Sequence, residues 1–277
     1  MNIKIRKASG IIEDFNPQKL LESLTRSGAD REQAEEVVEK LVPEITPFTS
    51  TKKIFRLAHK YLRQFNRASV LRYSLKKGLL RLGPSGYPFE KYFGELLGQY
   101  GYHADVGIIL EGKCVTHEID VIAVNDAEVV LVECKYRNRP NGAPDVKTAL
   151  YVHSRFQDLR PVIKERYPDK TFSGWLVTNT RFTSDAIQYA NCAGLKIKSW
   201  RYPEDNSIEK MIEDRKLYPV TVLSGLNSAQ IKRLIDNRLI LMKDMATMKA
   251  HDIQRMLSVT ESRAAKLIEQ AGELCLC

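Results

Sequence analysis

Apolar residues in the first third of the chain recur at helical spacing after a short strand-like start. Asn16 followed by Pro17 is typical of a helix start, because asparagine caps free backbone N–H groups and proline fits the first turn. Leu20, Leu21 and Leu24 then give that helix one apolar face. The pattern predicts strands at 3–7 and 11–15 and helices at about 16–28, 31–41, 51–65 and 68–81.

Longer apolar runs, typical of buried strands, follow in the middle of the chain. The run over 129–135 is apolar almost to its end, as expected for a strand covered on both faces. The predicted elements are a helix at 89–100, strands at 106–110, 115–124 and 129–135, a helix at 145–159, a strand at 172–178, a helix at 184–192 and a strand at 195–200. This αβββαβαβ order is typical of a mixed α/β domain.

The last part of the chain predicts only short helices, at 228–237, 243–247, 249–257 and 261–271. The clearest linker in the sequence is Gly83-Pro84-Ser85-Gly86. A chain of 277 residues is long enough for two or three domains. We therefore predict a multidomain α/β fold whose parts cover residues 1–83, 84–215 and 216–277.

Composition argues against several classes of protein. No apolar run approaches the roughly 18 residues that a membrane helix needs, and the first residues lack the apolar stretch of a signal peptide. We therefore expect a cytoplasmic protein with no membrane partner. The five cysteines contain no Cys-x-x-Cys pair and no cluster with zinc spacing, so we expect free thiols.

The net charge of +9 is unevenly distributed. Both ends of the chain are basic, whereas residues 84–215 carry nearly equal numbers of acidic and basic side chains. Between Ile45 and Phe89 there are ten Lys and Arg residues and no acidic residue. Such a block favours a phosphate-bearing partner, either a nucleotide or a nucleic acid. The alternative is a solvated basic surface that binds neither.

Carboxylates and a lysine are grouped at the ends of predicted strands. Glu133 and Lys135 lie two apart in a strand and share a face, which Asp120 reaches if its strand pairs with theirs as a hairpin. Two carboxylates and the Cys134 main-chain carbonyl suit Mg²⁺ or Mn²⁺. Lys135 would orient or help deprotonate a water molecule and offset transition-state charge. Glu90, on the preceding helix, could add a ligand or hold a metal-bound water.

The alternative for this cluster is a salt bridge that closes an apolar strand, because a Glu-x-Lys pair by itself is common. The αβββαβ order and the additional carboxylates favour the catalytic interpretation. The catalytic interpretation depends on four segments: Phe89-Glu90, Glu118-Ile119-Asp120, Glu133-Cys134-Lys135 and the stretch from Val177 to Ala190.

With these pieces, residues 84–202 resemble the PD-(D/E)xK nuclease superfamily, and within it the Mrr-like restriction endonuclease catalytic domain. The resemblance implies Mg²⁺-dependent hydrolysis of DNA phosphodiester bonds. It implies that Asp120 and Glu133 are metal ligands and that Lys135 is the catalytic lysine, with Glu90 as a further residue of the site.

The start of the chain carries a second pattern: the basic pair Arg6-Lys7, then Gly10, then the stretch from Glu13 to Lys19 at a helix N-terminus, which can hold phosphate. With it, residues 3–83 resemble the ATP-cone, a nucleotide-sensing domain. The resemblance implies ATP or dATP as a regulatory ligand. Its expected contacts are Lys7, Glu13, Asp14, Phe15, Asn16, Pro17, Gln18, Lys19, Thr51 and Lys77. The chain has no Walker-type phosphate loop, which favours sensing over ATP consumption.

The C-terminal helices, from Leu223 onward, resemble a degenerate tandem helix-hairpin-helix module. Glycines usual in such hairpins are replaced by Asn237-Arg238-Leu239 and Leu257-Ser258-Val259. Two roles stay open, a protein contact or dimerisation and binding of nucleic acid.

Together these patterns predict a nucleotide-regulated endonuclease that acts on DNA as a homodimer. One alternative is a non-catalytic ATP- or dATP-responsive nucleic-acid-binding regulator. Regulators of that class that contain an ATP-cone carry a zinc ribbon, and the absence of a Cys-x-x-Cys pair argues against it. The other alternative is an inactive nuclease fold that serves as a scaffold, against which the complete set of Asp120, Glu133 and Lys135 argues.

Overall fold

A small three-stranded sheet opens the chain in the computed structural model, which describes residues 3–7, 9–65, 67–139 and 142–275. Strand β1 (Lys4–Arg6) lies at the centre, antiparallel to β2 (Ile12–Asp14) and parallel to β3 (Thr49–Ser50). The helices that follow are α1 (Pro17–Arg26), α2 (Arg31–Leu41), α3 (Thr51–Leu62), α4 (Arg67–Tyr73) and α5 (Leu75–Leu79).

Two local features of this bundle test the predictions. The cap at Asn16 is confirmed, because its side chain accepts the Lys19 N–H at 3.2 Å. The single helix predicted over 68–81 is wrong, because the chain bends at Ser74 between α4 and α5. The bend accompanies a tertiary contact: the Thr221 hydroxyl donates to the Gly78 carbonyl at 2.8 Å, within α5.

A five-stranded sheet forms the centre of the molecule. Its strands are β4 (His103–Glu111), β5 (Thr116–Val124), β6 (Glu128–Cys134), β7 (Thr171–Val177) and β8 (Lys196–Lys198), in that order. The first three are antiparallel, and β6, β7 and β8 are parallel. The accompanying helices are α6 (Tyr87–Gln99), α7 (Val146–Arg166) and α8 (Ser184–Ala193). The mixed α/β architecture and the αβββαβαβ order are therefore confirmed.

The remaining helices are α9 (Ile208–Asp214), α10 (Ser228–Asp236), α11 (Met242–Ala246), α12 (Ala250–Leu257) and α13 (Glu261–Cys275). Helix α9 was not predicted, and α7 and α13 extend beyond the predicted ends at 159 and 271. The extensions follow the apolar stripe, since Ile163 and Leu274 are both buried. Cys114, Cys134, Cys192 and Cys275 are free thiols, and Cys277 lies outside the described residues.

The central sheet packs on both faces. One face packs against α7 and α8, and the other packs in a single core with α6, α4, α5 and the C-terminal helices. That second core joins Leu79, Val132 and Leu234, which fall in three different predicted domains, so the limits at 83 and 215 stay a prediction. No helix in the described part of the chain is both long and apolar enough to span a membrane.

Candidate functional site

The antiparallel pairing of β5 with β6 brings the predicted carboxylates together. Val121 lies opposite Val132, so Asp120 and Glu133 occupy the next positions on their strands. The Cys134 N–H donates to Asp120 Oδ2 at 2.6 Å, which anchors that carboxylate beside the end of β6. The hairpin on which the site prediction depended is therefore present.

Glu133 is buried between two cations. Its side chain is 5% exposed, its Oε1 pairs with Lys135 Nζ, and its Oε2 lies 2.6 Å from Arg155 Nη1. The Arg155 guanidinium also donates to the Glu118 carbonyl and so ties α7 to both strands of the hairpin. The salt bridge considered as an alternative is therefore present. It differs from an isolated Glu–Lys ion pair, because it holds the lysine beside a cluster of carboxylates.

Arg155 is the residue of this site that the sequence analysis missed. It lies on α7 among the buried residues Val152, Phe156 and Leu159. An arginine on the apolar face of an amphipathic helix costs free energy unless a carboxylate pairs with it. The position of Arg155 on that face was the sequence signal for a buried ion pair, although it does not identify the carboxylate that forms the pair.

Burial, and after it the repulsion from neighbouring carboxylates, raises the pKa of two acids of this cluster, Glu90 and Asp120. Burial, together with the nearby Asp120, Glu133 and Glu118, raises the pKa of Glu90 to about 7. Burial and Glu133 raise the pKa of Asp120 to about 6, against the opposing effects of the Cys134 N–H and Lys135. Carboxylates that resist ionisation in this way are stabilised by an added cation.

The donor set is consistent with a hard divalent cation, because it offers carboxylate and main-chain oxygens. Within the described ranges, no group of three or more His, Cys, Asp or Glu side chains is arranged to hold a metal ion. Asp120 and Glu133 would therefore supply two side-chain ligands, and the Cys134 carbonyl, water or substrate would have to complete the coordination of the metal. Both oxygens of Glu133 are engaged by Lys135 and Arg155, so a bound metal would share that carboxylate with them.

Glu90 predicts a pH dependence of stability in metal-free protein. Folded Glu90 keeps its proton to about pH 7, whereas the unfolded chain loses it near 4.5, so stability falls as pH rises between these values. We expect Glu90→Gln to be more stable than the wild type at pH 8 by about 1 kcal/mol, after allowance for solvent screening.

The measurement is urea unfolding in EDTA at pH 4.5 and pH 8. The gain from Glu90→Gln should be present at pH 8 and small at pH 4.5, where the folded wild-type carboxyl is protonated and the unfolded one is already about half protonated, so that little of the penalty for holding the proton remains. Glu95→Gln on the same helix is the matched control, since Glu95 is exposed. An equal gain at both pH values would contradict the assignment of the titration to Glu90.

The predicted nucleotide contacts fall into two groups. At the hairpin, Lys7 Nζ lies 2.6 Å from Glu13, and Asn16 caps α1. Thr51 and Lys77 instead line a cleft between the bundle and the edge of the central sheet, and neither Lys7 nor residues 13–19 contribute to its lining. The hairpin residues and the cleft residues thus occupy different places, and their binding roles stay predictions.

The C-terminal hairpins adopt a left-handed backbone without glycine. Arg238 and Ser258 have φ angles of 60° and 53°, at the two turns where the sequence lacks the usual glycines. The Ser258 hydroxyl accepts a hydrogen bond from Arg233 at 2.9 Å, which connects the second turn to helix α10. Their resemblance to helix-hairpin-helix turns remains a prediction.

Residues 83–203 match the family model described as restriction endonuclease, and the mixed α/β fold around the central sheet is consistent with a restriction-endonuclease-like core. An uncharacterised protein of Archaeoglobus fulgidus is 32% identical over 179 residues, which are 65% of this chain and 97% of that protein. The chain belongs to the same family as this archaeal protein. Residues 218–275 match the model described as AF1548-like, C-terminal.

Two solved structures are similar to the chain. The crystal structure of a protein of unknown function, AF1548, is 29% identical, with a TM-score of 0.57, covering 69% of this chain and 98% of that one. A repair endonuclease from Pyrococcus abyssi is 18% identical, with a TM-score of 0.28, covering 38% of this chain and 41% of that one. The second likeness is too slight to bear on function.

Proposed function

We propose that the chain is a nuclease that hydrolyses DNA phosphodiester bonds with Mg²⁺ or Mn²⁺. The observation that supports this most directly is the meeting of Asp120, Glu133 and Lys135 at the end of β6. The match of this segment to the restriction endonuclease family supports the same conclusion. The family match also favours DNA as the substrate.

Each side chain of the cluster has a distinct part in this proposal. Asp120, Glu133 and the Cys134 carbonyl would hold the metal, which when bound supplies Lewis-acid stabilisation of phosphate charge. Lys135 is partly exposed, so its ammonium can reach a phosphate oxygen or orient an attacking water molecule. Arg155 keeps Glu133 in place, and Glu90, with a pKa of about 7, can exchange a proton at neutral pH.

The proposal also includes control by a nucleotide at the N-terminal segment. The resemblance of residues 3–83 to the ATP-cone and the acid-free basic block support ATP or dATP as the ligand. Homodimerisation through the C-terminal helices is proposed with it. The competing candidate is a non-catalytic, nucleotide-responsive nucleic-acid-binding protein or scaffold, in which the Glu133 ion pairs are purely structural.

Plasmid cleavage tests both parts. Supercoiled DNA is incubated with the full chain and Mg²⁺, Mn²⁺ or EDTA, each with and without ATP or dATP. We expect nicked or linear product with either metal and none with EDTA, and a change in rate on addition of nucleotide. No product under any metal condition would contradict the nuclease, whereas cutting that ignores nucleotide, with no binding by calorimetry, would contradict the sensor alone.

A further inference from the structure

A cleft of about 850 Å³ lies between the N-terminal bundle and the edge of the central sheet. Helices α1, α3, α4 and α5 form one side, and Asn138, Trp200 and residues of α9 form the other. Its volume falls within the roughly 300–1,000 Å³ typical of sites for small ligands.

The lining of this cleft has a strong excess of positive charge. Arg81 and Arg201 are already engaged, the first with main-chain carbonyls of 221–226 and the second with Glu209. Four other lining cations form no ion pair with a described carboxylate: Lys52, Arg56, Lys76 and Lys77. Desolvation and neighbouring cations lower the pKa of both Lys76 and Lys77, so an anionic ligand would relieve their repulsion.

Aromatic rings accompany these cations on both walls. Phe55 stacks on Tyr73 with ring centroids 5.0 Å apart, and Lys77 Nζ lies 5.3 Å from the Phe55 ring. On the opposite wall, Trp200 is buried and its indole N–H has no partner among the described residues. Cations interleaved with aromatic rings are the features that bind a phosphate chain and stack its bases.

The cleft lies at the edge of the sheet that also carries the catalytic cluster. Strands β6, β7 and β8 are parallel, so Glu133 on β6 and Trp200 after β8 are at the same end of the sheet. Asn138 follows Lys135 by three positions, and the Tyr136 hydroxyl donates to the Leu80 carbonyl of the cleft wall at 2.9 Å. The cleft and the carboxylates thus lie at the same end of one sheet, and the short segment from Lys135 to Asn138 joins them.

We propose that this cleft binds a single-stranded stretch of the nucleic acid that the nuclease cuts, an inference that rests on the proposed function. Tyr73 covers one face of Phe55 and Lys77 Nζ lies over the ring, so a base stacks there when the flexible lysine side chain moves aside to its phosphate. Only a base whose own face is free can do so, and bases in a duplex cover one another. The number of unpaired cations, spread over α3 and α5, favours several phosphates of a strand over one free nucleotide. The ligand class is thus an unpaired strand adjoining the cleavage point.

Fluorescence anisotropy in EDTA, where no cleavage occurs, tests the cleft separately from the nuclease. The probe is fluorescein-labelled dT15, compared with a 15-base-pair duplex, on the full chain. The variants are Lys52→Gln/Lys76→Gln and Phe55→Leu. The matched control is Lys40→Gln, which changes an exposed lysine of α2 outside the cleft. Circular dichroism establishes that each variant is folded.

We expect dT15 to bind more tightly than the duplex. The double lysine variant should lower the slope of log K against log salt by about 0.7 per lysine, and Phe55→Leu should weaken binding about fivefold or more. Lys40→Gln should bind like the wild type. Equal binding of dT15 by all folded variants would overturn the proposal, as would binding of dATP without binding of dT15. Binding of dT15 by a protein that does not cut plasmid would contradict the proposed nuclease activity and support the proposed binding cleft.

Discussion

Replacing Lys135 with alanine is expected to slow plasmid cleavage by at least about 100-fold, since loss of one charged group at a transition state has effects of that size. The substitution removes the ammonium that pairs with Glu133 in the carboxylate cluster. It leaves Arg155 paired with the buried Glu133, so the fold should persist. The initial rate of supercoiled plasmid conversion with Mg²⁺ measures the loss.

Lys164→Ala is the matched control, because Lys164 is an exposed lysine at the end of α7. It should cut at the wild-type rate. If Lys135→Ala cuts as fast as Lys164→Ala, the cluster is a structural ion pair and the catalytic assignment is wrong. Lys135→Arg adds a finer comparison, since it keeps the charge but changes the shape of the donor.

Replacing Arg155 with methionine is expected to destabilise the chain by about 3 kcal/mol, because it leaves one side of a buried carboxylate unpaired. Glu133 is 5% exposed and Arg155 12% exposed, so water screens their attraction poorly. Lys135 still pairs with the other oxygen of Glu133, which places the loss at the lower end of the usual range. Urea unfolding at pH 7 in EDTA gives the free energy difference.

Two further variants show whether the loss comes from the ion pair. Arg160→Met changes an exposed arginine of the same helix and should shift stability by no more than about 0.5 kcal/mol. Arg155→Met with Glu133→Gln should recover part of the loss, because no buried charge is then left alone. Equal stability of Arg155→Met and Arg160→Met would show that the pair contributes nothing.

The carboxylate cluster was predictable because it depends on short-range rules. Residues two apart in a strand share a face, so the spacing of Glu133 and Lys135 by itself places their side chains together. Asp120 required only that neighbouring strands form a hairpin, which is the usual arrangement of consecutive strands. Local rules of this kind also predicted the helix cap at Asn16, since its hydrogen-bond partner, the Lys19 N–H, lies only three residues away.

Features that depend on distant contacts were not predictable. Arg155 meets Glu133 across 22 positions of sequence, and nothing local identifies that pairing. The bend at Ser74 accompanies contact with Thr221, far along the chain. The cleft combines Phe55 with Trp200, and the pattern of basic and apolar residues in either segment alone does not show that both line one cleft.

The core that joins α4 and α5 to the sheet and to the C-terminal helices has a thermodynamic consequence. Leu75 and Leu79 bury their side chains against the same cluster as Val130 and Ile231, so separating them would expose apolar surface on all the parts involved. The basic helices and the sheet are thus expected to melt in one transition. A ligand that binds only the folded form of α4 and α5 therefore also raises the melting temperature of the sheet that carries the carboxylate site, because its binding shifts the folding equilibrium of the whole unit.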